Sequence, residues 1–198
     1  KPTPVTVKKA PVRNVPVEVP VFLSAHERRL VLREYGRQFD VNILVETGTN
    51  DGGTPQELKD DFSTIYTIEL SMKAWQAAVN KFERLPHIIC LQGDSADILP
   101  DVLKRVGQEP ALFWLDGHYS GGSTAQGPKD TPVIEELAAI FATGVNHIIL
   151  VDDARLFEGM PEYGEHDWPP VDQLEKMALA ANYSFEIVYD IIRLIPRF

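Results

Sequence analysis

The sequence has 198 residues, of which 44% are hydrophobic and 24% charged, a balance that fits one globular domain and excludes a disordered chain. No apolar run approaches the ~20 residues that span a bilayer, and a formal net charge of -10 disfavours a nucleic-acid backbone as ligand, so neither membrane nor nucleic acid is expected as a partner. The one cysteine, Cys90, excludes an intramolecular disulfide and a cysteine-rich zinc site, and its place in the apolar run Ile88 to Leu91 reads as a core thiol.

The chain begins at Lys1 without a methionine or a signal-peptide pattern, which predicts a cytoplasmic protein trimmed from a longer parent. Residues 1–23 carry Pro2, Pro4, Pro11, Pro16 and Pro20 among valines and lysines, and are expected to form an extended arm through which a homo-oligomer could assemble. Residues 24–198 form the single domain. Ser24 and Glu27 make a capping box that opens a helix, with Leu30, Val31 and Tyr35 at helical spacing and Gly36 as its expected end. Five strands follow, Asn42 to Glu46, Thr64 to Glu69, Ile88 to Gln92, Ala111 to Asp116 and His147 to Asp152, each rich in β-branched or aromatic residues. Helices are expected between them over Pro55 to Phe62, Met72 to Arg84, Asp97 to Val106 and Thr131 to Thr143, and a further one over Val171 to Ala181. Ser184 to Tyr189 and Ile191 to Ile195 read as an antiparallel closing pair. Alternation of this kind predicts an α/β, Rossmann-like three-layer domain with a mainly parallel sheet, and ligands of such sheets bind beyond the carboxyl ends of the strands.

Unusual residues cluster at those ends. The first strand runs into Glu46-Thr47-Gly48-Thr49-Asn50-Asp51-Gly52-Gly53, where glycines free the backbone for a close approach, or simply turn the chain. Glu69 ends the second strand, twenty-one residues after Gly48, where nucleotide-binding α/β proteins place an acid for ribose hydroxyls; a helix N-terminal charge is the plainer reading. The third strand ends in Gly93-Asp94-Ser95-Ala96-Asp97, open to three readings: an adenine-binding turn, a helix cap, or an imperfect nucleophile elbow around Ser95. The fourth ends in Asp116-Gly117-His118-Tyr119 before a glycine-rich loop, after which Asp130 is expected to cap the next helix. The fifth ends in Asp152-Asp153, two carboxylates that repel one another unless a cation or a base such as Arg155 compensates. If the fourth and fifth strands are neighbours, ~4.8 Å apart, Asp116 can meet Asp152 or Asp153 around one ion.

The E-x-G-x-x-x-G run from Glu46 to Gly52 resembles the first motif of class I S-adenosylmethionine-dependent methyltransferases, and Gly93 to Ala96 resembles their adenine-bracketing segment. Leu115-Asp116-Gly117 followed by Val151-Asp152-Asp153 resembles the metal-binding acids of the macrocin O-methyltransferase group, magnesium-dependent enzymes that methylate sugar hydroxyls. The likeness extends from Asn42 to Leu156. It implies S-adenosylmethionine across the first three strands, with Glu46, Gly48, Thr49, Asn50 and Gly52 around its methionine end, Glu69 at the ribose, and Asp94 and Ser95 beside the adenine. It further implies a divalent cation, magnesium by all-oxygen ligation, on Asp116, Asp152 and Asp153, and a small-molecule acceptor such as a sugar or glycoside. Where that group carries a second acid, this chain has His118, which is a general base, a nitrogen ligand or a loop-ordering residue. Two other functions stay open: an α/β serine hydrolase using Ser95 with His118 or His147, and a nonenzymatic nucleoside-binding domain.

Overall fold

Every strand predicted from the apolar runs forms, the second and third over the predicted residues, the first shifted by one and the others a little shorter, in a computed structural model that describes residues 22–119, 127–158 and 168–197. The arm expected over residues 1–23, and any oligomer contact through it, lies almost wholly outside the described residues. In chain order the elements are α1 (Ala25–Gln38), β1 (Ile43–Thr47), α2 (Gly53–Leu58), β2 (Thr64–Glu69), α3 (Met72–Lys81), β3 (Ile88–Gln92) and α4 (Ser95–Val106). They continue with β4 (Leu112–Leu115), α5 (Val133–Ala142), β5 (Ile148–Val151), a 3-10 turn (Ala154–Glu158), α6 (Val171–Ala180), β6 (Glu186–Val188) and β7 (Ile191–Leu194).

The sheet order is β3-β2-β1-β4-β5-β7-β6. Strands β1 to β5 are parallel, while β7 runs antiparallel to both β5 and β6. Strand alternation gives the sheet two apolar faces. Leu44, Leu112, Trp114, Ile148 and Leu150 pack under Leu32 of α1, Leu58 of α2 and Ala78 of α3. Val45, Phe113, Leu115, Ile149 and Val151 pack under Leu99 and Val102 of α4, Leu137 and Ile140 of α5, and Leu174 of α6. This is the expected three-layer α/β domain. Its strand order reverses between β1 and β4, which opens a crevice at their carboxyl ends.

Three local expectations need correction. Gly36 does not end the first helix, which runs on to Gln38; the glycine is there for packing, since a Cβ on it would lie 2.8 Å from Cζ of Phe62. Asp130 does not cap α5, whose N-cap position is Pro132; its backbone carbonyl instead accepts a hydrogen bond from Tyr119 N at 2.7 Å. The second helix closes at Leu58, four residues before Phe62, and Phe62 turns into the core. The capping box at Ser24 and Glu27 is present, with Ser24 N donating to Glu27 Oε2 at 2.7 Å. The closing hairpin turns through Tyr189 and Asp190, both at positive φ, as the tightest two-residue hairpins require.

Candidate functional site

The loop after β1 leaves the sheet through Gly48, at φ +85°, and passes Asn50 at φ 49°. A side chain on Gly48 would collide with the carbonyl oxygen of Asp116, so glycine is required for β1 and β4 to deliver their loops side by side. Gly48 N donates to Ile68 O at 2.9 Å, and Glu69 at the end of β2 accepts from Asn50 N and Ser71 N, both at 2.8 Å. One carboxylate therefore fixes two loops. At the end of β3, Asp94 caps α4 by accepting from Ala96 N at 3.0 Å. Its other oxygen faces Gly127, where an added Cβ would lie 3.3 Å away.

These loops enclose a cavity of about 300 Å³ over the sheet ends. Of the residues singled out in the sequence, Gly48, Asn50, Glu69, Asp94, Ser95, Asp116 and His118 line it. Glu46, Thr49, Gly52, Asp152 and Asp153 do not lie on its wall. Glu46 and Thr49 are buried beneath it, 2% and 3% exposed.

The acids at the ends of β4 and β5 are separated by backbone geometry. Leu115 and Val151 are in register, so Asp116 and Asp152 leave adjacent strands at the same level. Regular strand stops at Val151, and Asp153 takes φ 55°. Arg28 of α1 reaches both carboxylates, 2.5 Å from Asp152 and 3.5 Å from Asp153, but their remaining partners differ. Asp152 accepts from Arg28 of α1 at 2.5 Å and from Asp153 N at 2.9 Å. Asp153 faces His118 Nε2 at 3.0 Å and Arg155 at 2.6 Å. The other ring nitrogen of His118 lies 3.5 Å from Asp116 Oδ1. One ligand atom each from Asp116, His118 and Asp153 thus falls within 4.8 Å of the others. Asp152, expected among the ligands, lies outside this group and holds the shorter of the two Arg28 contacts, while His118 stands with the acids. Trp168 packs its ring edge-on against His118, centroids 5.2 Å apart, and against Phe157 at 5.0 Å.

Charge follows the same division. Burial, and then the charges of Asp152, Asp153 and Glu46, raise the Asp116 carboxyl well above the usual carboxylate range. Burial and the adjacent Asp153 push Asp152 up to about 6 against the pull of Arg28. Burial works the same way on Asp153, but hydrogen bonds and charge from His118 and Arg155 prevail and hold it at about 2. Asp190, from the hairpin turn, also pairs with Arg155 and accepts its backbone N–H at 2.8 Å. Four carboxylates therefore face two guanidiniums and one imidazole.

Sequence reasoning missed Arg28, Glu136, Trp168 and Asp190. Two of these carried a readable signal. Arg28 is one turn before buried Leu32 on the same helix face, and Glu136 shares the buried stripe of Val133, Leu137 and Ile140. Glu136 is 1% exposed, and burial raises it to about 7 against hydrogen bonds from Ser95 and Thr47. Trp168 and Asp190 had none, because only the folded chain brings them to His118 and Arg155.

The readings of Ser95 and His147 as a hydrolase pair do not meet in space. Ser95 is the first residue of α4 and its hydroxyl turns to Glu136. His147 is wholly buried at the amino ends of β4 and β5, where its Nδ1 accepts from Ala111 N at 3.2 Å. Both ring nitrogens of His118 face carboxylates.

The sequence matches no family model and no curated protein. Solved structures do match. The S-adenosylhomocysteine-bound methyltransferase PaMTH1 of Podospora anserina is 14% identical, with a TM-score of 0.61 over 89% of this chain and 80% of that one. The O-methyltransferase TomG of Streptomyces achromogenes, solved with S-adenosylmethionine, is 16% identical, with a TM-score of 0.60 over 89% and 82%. At such identity the likeness is one of fold, and the chain has the Rossmann-like α/β fold of these methyltransferases, with its cavity at the carboxyl ends of the parallel strands.

Proposed function

We propose that this chain is an S-adenosylmethionine-dependent O-methyltransferase acting on a small-molecule hydroxyl, such as that of a sugar or glycoside. One observation carries the reading. A single cavity has the Gly48 to Asn50 turn, Glu69 and Asp94 along one side and the Asp116 and His118 pair at its end. Glycine at Gly48 lets the loops after β1 and β4 abut at the cavity, Glu69 offers acceptor oxygens to ribose hydroxyls, and Asp94 keeps one oxygen free of its helix cap. The solved neighbours that hold S-adenosylmethionine or S-adenosylhomocysteine support the same reading. Bound there, S-adenosylmethionine supplies a methyl group on a sulfonium for transfer to an acceptor oxygen.

An alcohol attacks well only as it loses its proton. His118 lines the cavity, and Asp153, 3.0 Å from its Nε2, orients the ring. With S-adenosylmethionine bound, His118 would take the proton of the acceptor hydroxyl at Nδ1, because Nε2 is held by Asp153. A second reading rests on the juxtaposition of Asp116, His118 and Asp153: the excess of carboxylates over guanidiniums fits a divalent cation, and a mixed oxygen and nitrogen donor set admits manganese, iron or zinc beside magnesium. A cation held there supplies charge stabilisation for the developing alkoxide, and His118 is then a ligand.

Calorimetry with S-adenosylhomocysteine tests the cofactor. Micromolar binding is expected, and no binding by folded protein overturns the reading. His118→Ala separates the two roles: lost turnover with cofactor and manganese binding intact fits a base, and lost manganese binding makes it a ligand. Near-normal turnover eliminates both.

A further inference from the structure

Beneath the loop between β1 and α2 runs a chain of hydroxyls that ends on a buried carboxyl. Thr67 of β2 donates from Oγ1 to Glu46 Oε2 at 2.7 Å, and Thr49 Oγ1 lies 2.5 Å from the same Thr67 oxygen. With the single hydroxyl proton of Thr67 directed at Glu46, Thr49 donates the second bond, and the chain runs from Thr49 through Thr67 to Glu46. All three side chains are buried, at 3%, 0% and 2% exposure. Thr54, at the start of α2, also faces Glu46 and offsets part of the effect of its burial.

The topology gives this network its meaning. Thr49 and Thr54 flank the turn that carries Asn50 and Gly52 at positive φ, and Glu46 is the last residue but one of the strand from which that turn springs. Glu46 therefore ties both shoulders of the turn to β1, while Asn50 N is tied to Glu69 from the other side at 2.8 Å. Glu46 is absent from the cavity wall, so direct contact with a ligand is not its role.

We infer that Glu46 is a positioning residue that acts through Thr67 and Thr54 to hold the Gly48 to Gly52 turn in the shape that receives the methionine end of the cofactor. The inference rests on the cofactor reading above. A neutral amide at this position keeps a carbonyl acceptor for Thr67, so hydrogen-bond acceptance and not charge is the requirement.

The test is calorimetry on the full chain with two probes, S-adenosylhomocysteine and adenosine, which lacks the methionine part. Thr67→Val keeps the β-branched shape but breaks the relay, and about tenfold loss for S-adenosylhomocysteine is expected, with adenosine affinity changed by less than about twofold. Glu46→Leu loses a similar factor, and Glu46→Gln recovers affinity to within about threefold of the parent. Thr49→Val combined with Thr67→Val adds little to either alone, because one chain is already broken. Equal losses for both probes would mean general destabilisation, and parental affinity in folded Thr67→Val would remove the relay; either overturns the inference. If the parent itself fails to bind S-adenosylhomocysteine, the cofactor reading falls, and hydrogen exchange decides the relay alone. Faster exchange at Asn50 to Gly53 in Thr67→Val supports it, and unchanged exchange refutes it.

Discussion

Glu46→Gln separates buried charge from buried shape, and the structure fixes the sign of its effect. The carboxyl is 2% exposed, and burial pushes it up to about 8 despite hydrogen bonds from Thr67 and Thr54. Unfolded, it returns to an ordinary 4.5. The folded chain then holds the proton more tightly than the unfolded one, so stability from this group is complete below pH 4.5 and is lost as pH rises through 8. Each pH unit of that gap is worth about 1.4 kcal/mol, so between pH 5 and pH 8 the parent should lose up to about 4 kcal/mol relative to a chain that cannot ionise here. Other buried groups, Glu136, Asp152 and His147 among them, titrate in both proteins and cancel in the difference. Urea unfolding of parent and Glu46→Gln at pH 5, 6.5 and 8 measures it. The variant should gain on the parent steadily with pH. A difference that stays constant within about 1 kcal/mol across that range would refute the assignment of Glu46 as a carboxyl forced to keep its proton.

Three further outcomes follow from the geometry. Glu69→Ala removes the carboxylate that fixes Asn50 and Ser71 and is offered to the ribose, so calorimetry with S-adenosylhomocysteine should show at least about tenfold weaker binding; unchanged affinity would remove Glu69 from the site. Manganese titration followed by paramagnetic resonance should show loss of binding in Asp116→Asn and Asp153→Asn but retention in Asp152→Asn, whose carboxylate faces Arg28; equal loss in all three would restore Asp152 as a ligand. Gly48→Ala combines a left-handed backbone with a collision against Asp116 O, and should cost about 1 to 3 kcal/mol in chemical denaturation together with cofactor affinity; a parental midpoint would show that the two loops do not abut.

The sequence by itself determined the strands, most of the helices and the α/β class, because apolar runs, caps and alternation are local signals that tertiary packing reinforced here. It also marked Gly48, Glu69, Asp94, Asp116 and His118, since glycines and acids placed just past apolar strands are conspicuous without any structure. It could not decide where adjacent side chains point. Asp152 and Asp153 are indistinguishable in sequence, and only the end of β5 at Val151 and the left-handed backbone at Asp153 leave the first on Arg28 and carry the second on to His118 and Arg155. Glu46 stands in a cofactor-loop motif, yet strand alternation turns it under the loop toward Thr67, away from the cavity. Arg28, Thr67, Trp168 and Asp190 meet their partners in the site or its support across 21 to 124 residues of sequence, and proximity of that kind arises only when the sheet order is set.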